Sequence, residues 1–408
     1  MDANLYGWGT ELDTKLNILI CTSIFPNSAE PSRGIYIFNQ VRALGKHCRI
    51  KVIAPVPYFP KWLPLRGYGM FSRIPQRETM DTLDVLHPRA IVVPKVGRLL
   101  NGITYYLALS RAFERVREHF TPDVLLAYWA YPDGYASTML ARDLGVPVVV
   151  GARGHDVNNA RPSGLRGRMV VKTLDRADRL MAVSAAMKER MTSFGIDPRK
   201  IAVVPNGLDS IFVPEDREVA RGQAGLSAQK GGEKTILFCG RLSPEKGVDV
   251  LLDAAKLLDS RGIPFYLLLV GDGPMRKTLR VHAARLGLEG KVRFAGEVPP
   301  QKVPALMNSS HVLCLPSHSE GWPNVVMEAL GCGVPVVASR VGGVPEILSK
   351  PGSGLMVPAG DREALADALG QALKKTWDRS TVRAAVAGRT WDHVAENILR
   401  EIRTAMNR

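Results

Sequence analysis

Residues 319–330 read Ser-Glu-Gly-Trp-Pro-Asn-Val-Val-Met-Glu-Ala-Leu. They lie between two apolar runs, His311–Pro316 and Val334–Ala338, which predict buried strands on either side of a turn and a short helix. Strand, loop, helix and strand in this order predict an α/β sheet, in which ligands bind at the carboxyl ends of the strands. The carboxylates of Glu320 and Glu328 therefore belong beside a predicted ligand.

The predicted start of this helix offers groups that suit an anion or a set of hydroxyls. Pro323 fits the first turn because it needs no amide partner there. The backbone of residues 321–324 then lies at the positive end of the helix dipole. Asn324 and Glu328 are four residues apart on one helix face, with Glu320 just before the helix. Such a set suits a sugar nucleotide, and a solvated pair of carboxylates that only caps the helix is the alternative.

The longer stretch from Glu320 to Ser339 carries a family resemblance. It reads Glu-Gly-Trp-Pro-Asn-Val-Val-Met-Glu-Ala-Leu-Gly-Cys-Gly-Val-Pro-Val-Val-Ala-Ser and resembles the donor-site signature of the retaining glycosyltransferases of family 4. The resemblance implies the α/β GT-B fold, with two doubly wound Rossmann-like domains facing across a cleft. Its Glu-Gly-Trp-Pro-Asn form is similar to a subgroup that makes teichuronic acid and related surface polysaccharides. The donor contacts that it implies here are Glu320, Gly321, Trp322, Pro323 and Asn324 for the sugar and Glu328 for the ribose hydroxyls.

A cationic loop is predicted upstream of this stretch. Thr235–Cys239 reads as a strand, and Gly-Arg-Leu-Ser-Pro-Glu-Lys-Gly follows it before an amphipathic helix over Val248–Leu258. Arg241 and Lys246 could hold a diphosphate from two sides, because arginine offers a planar fork of donors and lysine a compact charge. An ordinary basic loop is the alternative. The pattern resembles the pyrophosphate clamp of the family, so both cations are expected to be catalytic.

Two segments of the amino-terminal half are candidates for the opposite wall of the site. A predicted strand leads through Gly34 into a helix over Ile35–Leu44, and glycine lets the backbone approach a phosphate closely. A Gly-His-Asp sequence follows the predicted strand Val146–Val150 and places His155 at a strand end. A plain turn and a structural histidine are the alternatives. The resemblance implies that Gly34 approaches the donor phosphates and that His155 reaches the transferred sugar. His155 and Glu320 are therefore expected to be catalytic residues together with the two cations.

Contacts with the acceptor are predicted from two places. Pro55–Tyr68 is rich in proline, aromatic and cationic residues, so Tyr58 and Trp62 could stack on a sugar or rest on lipid headgroups. A packed surface loop with its aromatic rings turned inward is equally compatible with the composition. Next to the predicted catalytic histidine, Asp156 and Arg153 are further candidates for contact with the acceptor.

The positive charge of the chain is concentrated in its amino-terminal half. The net charge is +15, and residues 1–207 hold 28 Lys and Arg against 17 Asp and Glu, which is +11 of that total. Such a surface favours an anionic partner, such as an anionic membrane or a lipid phosphate, and a generic solvated surface is the alternative. No nucleic-acid-binding module accompanies the charge, so we expect no nucleic acid partner.

Length and composition predict a globular protein of two or three domains. The chain has 408 residues, of which 46% are hydrophobic and 23% charged. No apolar run predicts a membrane span, and the first fifteen residues do not read as a secretory signal. We therefore expect a cytoplasmic protein, with membrane association at the inner face of the plasma membrane. Five scattered cysteines without a CxxC pair predict free buried thiols.

Turn residues after residue 204 interrupt the periodic pattern and predict a domain boundary. We assign residues 1–207 to an acceptor-binding domain and residues 208–385 to a nucleotide-sugar donor-binding domain. The amphipathic run Trp391–Met406 resembles the terminal helix of the family, which crosses back to brace the first domain, so residues 386–408 are assigned to it. A terminal helix of the second domain is the alternative.

Together these resemblances imply a metal-independent retaining hexosyltransferase without a cofactor. It would move a sugar from a nucleotide-diphosphate sugar to a hydroxyl of a glycan or lipid-linked acceptor of the cell envelope. A UDP-sugar is the favoured donor and a GDP-sugar the alternative, with the base near the backbone of Val298. The sequence contains no Asp-x-Asp motif to hold a divalent cation, so Arg241 and Lys246 are expected to stabilise the leaving group.

Two other classes of function fit the same pattern. A GT-B epimerase would cleave a nucleotide sugar without an acceptor, and it would need a pair of carboxylates close to the second carbon of the sugar. A non-catalytic subunit would bind the nucleotide sugar without ever releasing the nucleotide.

Overall fold

The computed structural model describes residues 15–58, 69–92, 100–226 and 233–407 of the chain. Within these ranges the chain forms two large β-sheets, one in each half, together with one two-stranded sheet. The strands at the centre of the first sheet pair in parallel, and so do all the strands of the second sheet. This confirms the predicted α/β class with two doubly wound units.

The first sheet has eight strands, and a further pair of strands lies apart from it. The strands of this half are β1 (Asn17–Cys21), β2 (Arg49–Ile53), β3 (Val56–Tyr58), β4 (Arg77–Met80), β5 (Leu83–Leu86), β6 (Arg89–Ile91), β7 (Val124–Tyr128), β8 (Val148–Ala152), β9 (Arg179–Ala182) and β10 (Ile201–Val203). The order in the sheet is β10-β9-β8-β7-β1-β2-β5-β4, while β3 pairs with β6. Only β4 runs antiparallel to its neighbour, at the edge of the sheet.

The second sheet has six strands. They are β11 (Lys234–Cys239), β12 (Phe265–Val270), β13 (Val292–Gly296), β14 (Val312–Leu315), β15 (Val336–Ser339) and β16 (Gly354–Val357). Their order is β13-β12-β11-β14-β15-β16. Every residue of β14 and β15 is buried, and the same holds for β7 and β8 in the first sheet. Burial on both faces explains why these strands are continuous apolar runs without alternation.

Helices connect the parallel strands, as crossover connections require. They are α1 (Ile35–Leu44), α2 (Asn101–Glu114), α3 (Tyr135–Leu144), α4 (His155–Asn158), α5 (Leu165–Arg176), α6 (Ala185–Thr192), α7 (Arg217–Gln223), α8 (Val248–Ser260), α9 (Arg276–Arg285), α10 (Val303–Asn308), α11 (Asn324–Gly331), α12 (Val344–Ile347), α13 (Arg362–Lys374), α14 (Arg379–Ala384) and α15 (Trp391–Met406). Short 3-10 turns lie between them, including one at Pro244–Lys246.

The last helix packs against the first sheet, although it follows the second in sequence. Val394, Ile398 and Ile402 of α15 are buried in one cluster with residues of α1, β1 and β2. The Arg179 guanidinium at the start of β9 donates two hydrogen bonds to Glu401 of α15, at 2.8 and 2.5 Å. The amphipathic pattern thus buries its apolar face on the amino-terminal half of the molecule.

Several predicted boundaries agree with the structure and others are wrong. The helices over residues 35–44 and 391–406 have the predicted ends. The sequence also predicts a helix over residues 102–120 and another that continues through Arg179, but in the structure the first ends at Glu114 and the second at Arg176. Arg179 instead opens β9 and bonds to Glu401, so it does not contribute to a solvated basic face. The five cysteines are free, as predicted, and four of them are buried, but Cys239 is partly exposed.

Candidate active site

The predicted donor loops meet where the second sheet changes direction. Strands β11 and β14 are neighbours, and successive strands extend outward from each of them on opposite sides. Such a topological switch point leaves a crevice between the two loops at the carboxyl ends of the strands. The loop after β11 carries Arg241 and Lys246, and the loop after β14 carries Glu320. Sequence segments about 75 residues apart are therefore brought together by strand order.

A cavity of about 460 Å³ lies at this crevice and extends to the amino-terminal half. Residues of α1 and of the linker, including Tyr36, Asn39 and Asp209, line it from that side. The predicted donor residues that line it are Arg241, Lys246, Val298, Glu320, Trp322, Pro323, Asn324 and Glu328.

Lys246 and Glu320 form an ion pair inside the cavity. The Lys246 ammonium donates to Glu320 Oε1 at 2.6 Å, and the Ser317 hydroxyl donates to the same oxygen at 2.7 Å. The side chains of Lys246 and Glu320 are 23% and 8% exposed, so the pair is largely shielded from solvent. None of the described residues bonds to the second oxygen of Glu320, so this oxygen can accept from a ligand.

Arg241 differs from Lys246 in having a free side chain. It is exposed at the mouth of the cavity, and among the described residues its guanidinium makes no hydrogen bond or ion pair. Its backbone is held firmly, because Leu242 N–H donates to the carbonyl of Asp272 and Ser243 N–H to that of Arg241 itself. A fixed backbone with an unpaired guanidinium is suited to capturing an anion.

Glu328 lies at the inner end of the cavity and is 9% exposed. The Tyr36 hydroxyl of α1 donates to its Oε1 at 2.9 Å, which joins the two halves of the molecule. Burial raises the pKa of Glu328 to about 7, although the hydrogen bond from Tyr36 opposes this shift. The group can therefore change its charge near neutral pH.

The start of α11 differs in detail from the prediction. The helix begins at Asn324, and Pro323 is its N-cap with φ −77° and ψ 96°, so proline lies just before the first turn. Because proline has no amide hydrogen, the available donors near the helix start come from its neighbours. The carbonyl of Gly321 accepts from Gly343 N–H at 3.0 Å, which fixes the loop that precedes the helix.

The two halves come into close backbone contact at a pair of glycines, Gly154 and Gly321. A Cβ added to Gly321 would lie 2.7 Å from the carbonyl oxygen of Arg153 and 2.8 Å from Gly154 Cα. Asn158 also donates from its side chain to the backbone carbonyl of Glu320 at 3.1 Å. Only residues without side chains permit this approach, so the predicted sugar-binding loop abuts the Gly-His-Asp segment.

His155 lies beside the cavity and does not line it. It begins α4, is exposed, and has the Asn159 amide within 3.1 Å of its ring nitrogens. The pKa of Glu245 is lowered: burial raises it, but a hydrogen bond from Ser243 and the charges of Lys246 and His155 outweigh burial. His155 follows Gly154, which contacts Gly321, and Glu320 is bonded to Lys246, so His155 lies near the Lys246 loop across the cleft between the two halves.

Gly34 adopts a left-handed conformation, with φ 64° and ψ 26°, directly before α1. A Cβ at this position would lie 2.3 Å from the carbonyl oxygen of Ile24, so the turn accepts only glycine. Its neighbours Ser32 and Ile35 line the cavity, while Gly34 does not.

The structure does not support an acceptor contact for Arg153 or Asp156. Asp156 is 3% exposed, and its carboxylate accepts from the backbone N–H groups of Ala130, Arg153 and Gly154 at 2.8 to 3.1 Å. The Arg153 guanidinium lies 4.4 Å from the ring centre of Tyr128 and bonds to buried amide side chains. Both side chains are held by partners that the sequence did not reveal, and the predicted acceptor contacts stay predictions.

Of the two aromatic acceptor candidates, the structure describes only Tyr58, which does not line the cavity. Tyr58 ends β3, is 44% exposed, and is paired in register with Ile91 of β6. Trp62 lies outside the described residues. The acceptor contacts proposed for these two residues stay predictions.

Four residues of the site had no signal in the sequence. Tyr36 and Gln40 look like ordinary positions of an amphipathic helix, and Asn206 and Asp209 belong to a turn that marked only a domain boundary. Tyr36 bonds to Glu328, while Asn206 donates from its side chain to Asn324 Oδ1 at 3.0 Å. The Asn-Gly turn was thus recognised as a linker although it also contributes to the cavity wall.

A second cavity, of about 790 Å³, adjoins the first behind the linker. It is lined by α1, α14 and the segment before α15, and it contains none of the predicted site residues.

Within the described ranges, no three His, Cys, Asp or Glu side chains are grouped so that they could hold a metal ion. No helix in those ranges has the length and apolarity needed to cross a bilayer.

Sequence comparisons identify the family of the chain. Residues 34–211 match the family described as Glycosyltransferase Family 4, and residues 225–389 match Glycosyl transferases group 1. The D-inositol 3-phosphate glycosyltransferase of Acidothermus cellulolyticus is 34% identical over 340 residues, covering 77% of this chain and 74% of that protein. This chain belongs to glycosyltransferase family 4. The putative teichuronic acid biosynthesis glycosyltransferase TuaC of Bacillus subtilis is 30% identical over 365 residues, covering 87% and 88% of the two chains.

Solved structures confirm the GT-B fold of this glycosyltransferase. Sucrose-phosphate synthase from Thermosynechococcus elongatus superposes with a TM-score of 0.77 at 18% identity, covering 95% of this chain and 98% of that one. Anabaena Alr3699/HepE in complex with UDP and glucose superposes with a TM-score of 0.71 at 21% identity, covering 96% and 100%. The family predicted from the Glu320–Ser339 motif is therefore confirmed, and the enzyme is a transferase of class EC 2.4.

Proposed function

We propose that this glycosyltransferase moves a hexose, with retention of configuration, from a nucleotide-diphosphate sugar to a hydroxyl group of its acceptor. The observation that carries the proposal is the cavity at the β11/β14 switch point, which unites two cations, two carboxylates and a helix start. The cations suit a diphosphate, and the carboxylates suit the hydroxyls of a ribose and a sugar.

The leaving diphosphate would be stabilised by Arg241 and Lys246 without a metal ion. Arg241 is exposed at the cavity mouth and pairs with none of the residues that the structure describes, and Lys246 is fixed by Glu320 at 2.6 Å. The start of α11 adds the positive end of a helix dipole. Donors that are fixed before the reaction stabilise developing charge most effectively, because nothing has to reorganise.

The donor would lie with its ribose at Glu328 and its sugar at Glu320. Trp322, Pro323 and the backbone of Gly321 would surround the sugar, and the base would lie near Val298, which lines the same cavity. A UDP-sugar is the favoured donor, with a GDP-sugar as the alternative. The Anabaena protein of similar fold was solved with UDP and glucose, and the Arabidopsis starch synthase IV domain with ADP.

Transfer would occur by attack of the acceptor hydroxyl on the same face of the sugar as the leaving group. The acceptor oxygen forms a bond to the anomeric carbon, the bond from that carbon to the phosphate oxygen breaks, and the departing phosphate takes the acceptor proton. Glu320 serves as a positioning group, because its Oε1 already accepts from Lys246 and Ser317. His155, which lies across the cleft near the Lys246 loop, would contact the transferred sugar when the donor is bound.

The acceptor would be a glycan or lipid-linked glycan of the cell envelope. TuaC and the putative colanic acid biosynthesis glycosyltransferase WcaL of Salmonella typhimurium, 28% identical over 325 residues, are named for polysaccharide pathways. The excess of +11 in residues 1–207 would attract an anionic membrane. We place the enzyme in the cytoplasm, in contact with the inner face of the plasma membrane.

Nucleotide binding in the presence of EDTA tests the proposal. We would measure the thermal stability of the enzyme with UDP, GDP, ADP and CDP, and we expect one of them to stabilise it without metal. A ligand at a hundred times its dissociation constant adds about 2.7 kcal/mol to the free energy of unfolding. Arg241→Ala should reduce that shift, whereas Arg285→Ala, at an exposed position of α9, should leave it unchanged. Failure of all four nucleotides to bind would refute the proposal.

A further inference from the structure

A chain of side-chain hydrogen bonds leads from Arg153 to the donor cavity. The Arg153 guanidinium donates to Gln40 Oε1 at 2.5 Å and to Asn206 Oδ1 at 2.9 Å. Gln40 Nε2 also donates to Asn206 Oδ1 at 2.8 Å. Asn206 Nδ2 then donates to Asn324 Oδ1 at 3.0 Å. This series of hydrogen bonds connects the loop after β8, helix α1, the linker and the first residue of α11.

The direction of these bonds is set by Arg153 alone. A guanidinium carries only donors, so it forces the oxygen atoms of both neighbouring amides toward itself. Gln40 must then offer its NH2 group to Asn206, and Asn206 must offer its own to Asn324. Gln40 is 1% and Asn206 7% exposed, so a reversed amide would bury opposed donors without water to compensate.

Asn324, the last residue in this series of hydrogen bonds, can offer a ligand only its NH2 donor. Asn324 Oδ1 is engaged by Asn206, and among the described residues Asn324 Nδ2 has no hydrogen-bond partner. Asn324 is partly exposed and lines the donor cavity. Its side chain therefore presents a donor to that cavity, and it can bind only an acceptor such as a phosphate or hydroxyl oxygen.

We propose that Arg153, Gln40 and Asn206 are positioning residues that hold the Asn324 amide with its NH2 group toward the donor substrate. The inference rests on the proposed function, because it assigns the NH2 group an oxygen of the nucleotide sugar as partner. Three of the four residues precede the second sheet, so a donor contact made by α11 depends on residues of the amino-terminal half that never touch the donor. Donor recognition is thereby coupled to the closed arrangement of the two halves.

The Asn206→Asp substitution tests the donor–acceptor direction of these hydrogen bonds. Aspartate still accepts from Arg153 and Gln40, but it has no donor for Asn324, so the Asn324 amide should reverse and turn its oxygen toward the cavity. We expect a folded protein whose affinity for the nucleotide identified above is weakened roughly tenfold, in line with one lost hydrogen bond. Asn397→Asp on α15 adds the same charge away from the cavity and should bind as the wild type does.

A double-mutant cycle separates this effect from simple charge repulsion. In an Asn324→Ala background there is no amide to reverse, so adding Asn206→Asp should cause no further loss of affinity. A repulsive charge at residue 206 would weaken binding equally in both backgrounds, and that result would overturn the proposal. Unchanged binding by the folded Asn206→Asp single variant would overturn it too.

Side-chain amide NMR gives a readout that does not need the nucleotide. In the wild type, the NH2 protons of Asn206 should be protected from exchange and those of Asn324 should exchange quickly. In the Asn206→Asp variant, the NH2 protons of Asn324 should become protected. Protected Asn324 protons in the free wild type would refute the assigned direction. If no nucleotide binds but the NMR pattern holds, the proposed function fails while the hydrogen-bond direction stands.

Discussion

Lys246 has two roles at the scale of the single residue, because it neutralises Glu320 and is proposed to bind the diphosphate. Removing the ammonium in Lys246→Met leaves a carboxylate that is only 8% exposed without its partner. We expect a loss of about 3 kcal/mol in the free energy of unfolding, measured by urea denaturation. Activity should fall at the same time.

The matched control for this prediction is the double variant Lys246→Met/Glu320→Gln. It no longer buries an unpaired charge, so much of the lost stability should return while turnover remains low. If the double variant regained turnover together with stability, Lys246 would have no role beyond its ion pair.

Glu328 makes stability depend on pH in a defined direction. Its pKa is raised by burial from 4.5 to about 7, so the folded protein holds this proton more tightly than the unfolded chain does. The contribution of Glu328 to the free energy of unfolding must therefore fall as pH rises from 4.5 through 7. Glu328→Gln removes this titration, so relative to the wild type it should gain about 2 kcal/mol between pH 5 and pH 8.

Comparing the two proteins isolates this one carboxyl group. Burial also raises the pKa of Asp133 to about 7, but that group is common to both proteins and cancels in the difference. Urea denaturation at pH 5 and pH 8 measures the effect. A difference between the proteins that did not change with pH would show that Glu328 does not titrate in this range.

At the scale of the element, α15 is tied to the first sheet by a buried ion pair. Arg179 and Glu401 are 12% and 11% exposed, and Glu401→Ala would leave the guanidinium buried alone. We expect a loss of about 3 kcal/mol in the free energy of unfolding. Glu396→Ala, on an exposed turn of the same helix with a side chain 64% exposed, should change stability by less than about 0.5 kcal/mol. Equal effects of the two substitutions would contradict this account.

The ends of the helices show which local sequence signals were sufficient to predict a helix boundary. Helix α1 begins after a left-handed glycine and α15 after a threonine whose hydroxyl accepts from His393 N–H, and both were located correctly. Helix α2 was predicted six residues too long, because the charged residues after Glu114 have no strong stop signal. Pro323 was placed inside α11 although it is the N-cap, a difference of one residue that local sequence does not fix.

At the scale of the whole molecule, the approach of the two halves depends on glycine at residue 321. In Gly321→Ala the new Cβ would meet backbone atoms of Arg153 and Gly154 within 2.8 Å, and backbone cannot move aside as a flexible side chain can. We expect the halves to separate, with a larger radius of gyration by small-angle X-ray scattering and a large loss of transfer. The control is Gly290→Ala, where an added Cβ meets nothing within 4 Å.

The scattering result decides between two explanations of lost activity in this variant. If Gly321→Ala loses transfer while its radius of gyration stays that of the wild type, the residue acts by contact with the sugar and does not set the approach of the halves. An active variant with an unchanged radius would show that the glycine contact is not required.

The sequence by itself determined the family, the α/β class and most of the donor-side residues. The Glu320–Ser339 motif and the Arg241/Lys246 loop are local patterns, each set by the ends of a single strand and a single helix. Their meeting depends on the strand order of the sheet, in which β11 and β14 are neighbours. Eight of the predicted donor residues accordingly line one cavity. The roles assigned to them stay predictions until the variants are measured.

Only the tertiary structure decided which side chains are free to bind and which are occupied. Asp156 was expected to face an acceptor, yet its carboxylate satisfies three backbone N–H groups, and Arg153 directs buried amides from behind the site. Tyr36 reaches Glu328 across 292 residues of sequence. The physical reason is that strand and helix patterns depend on near neighbours, whereas a buried polar group must find its partner wherever the fold brings one.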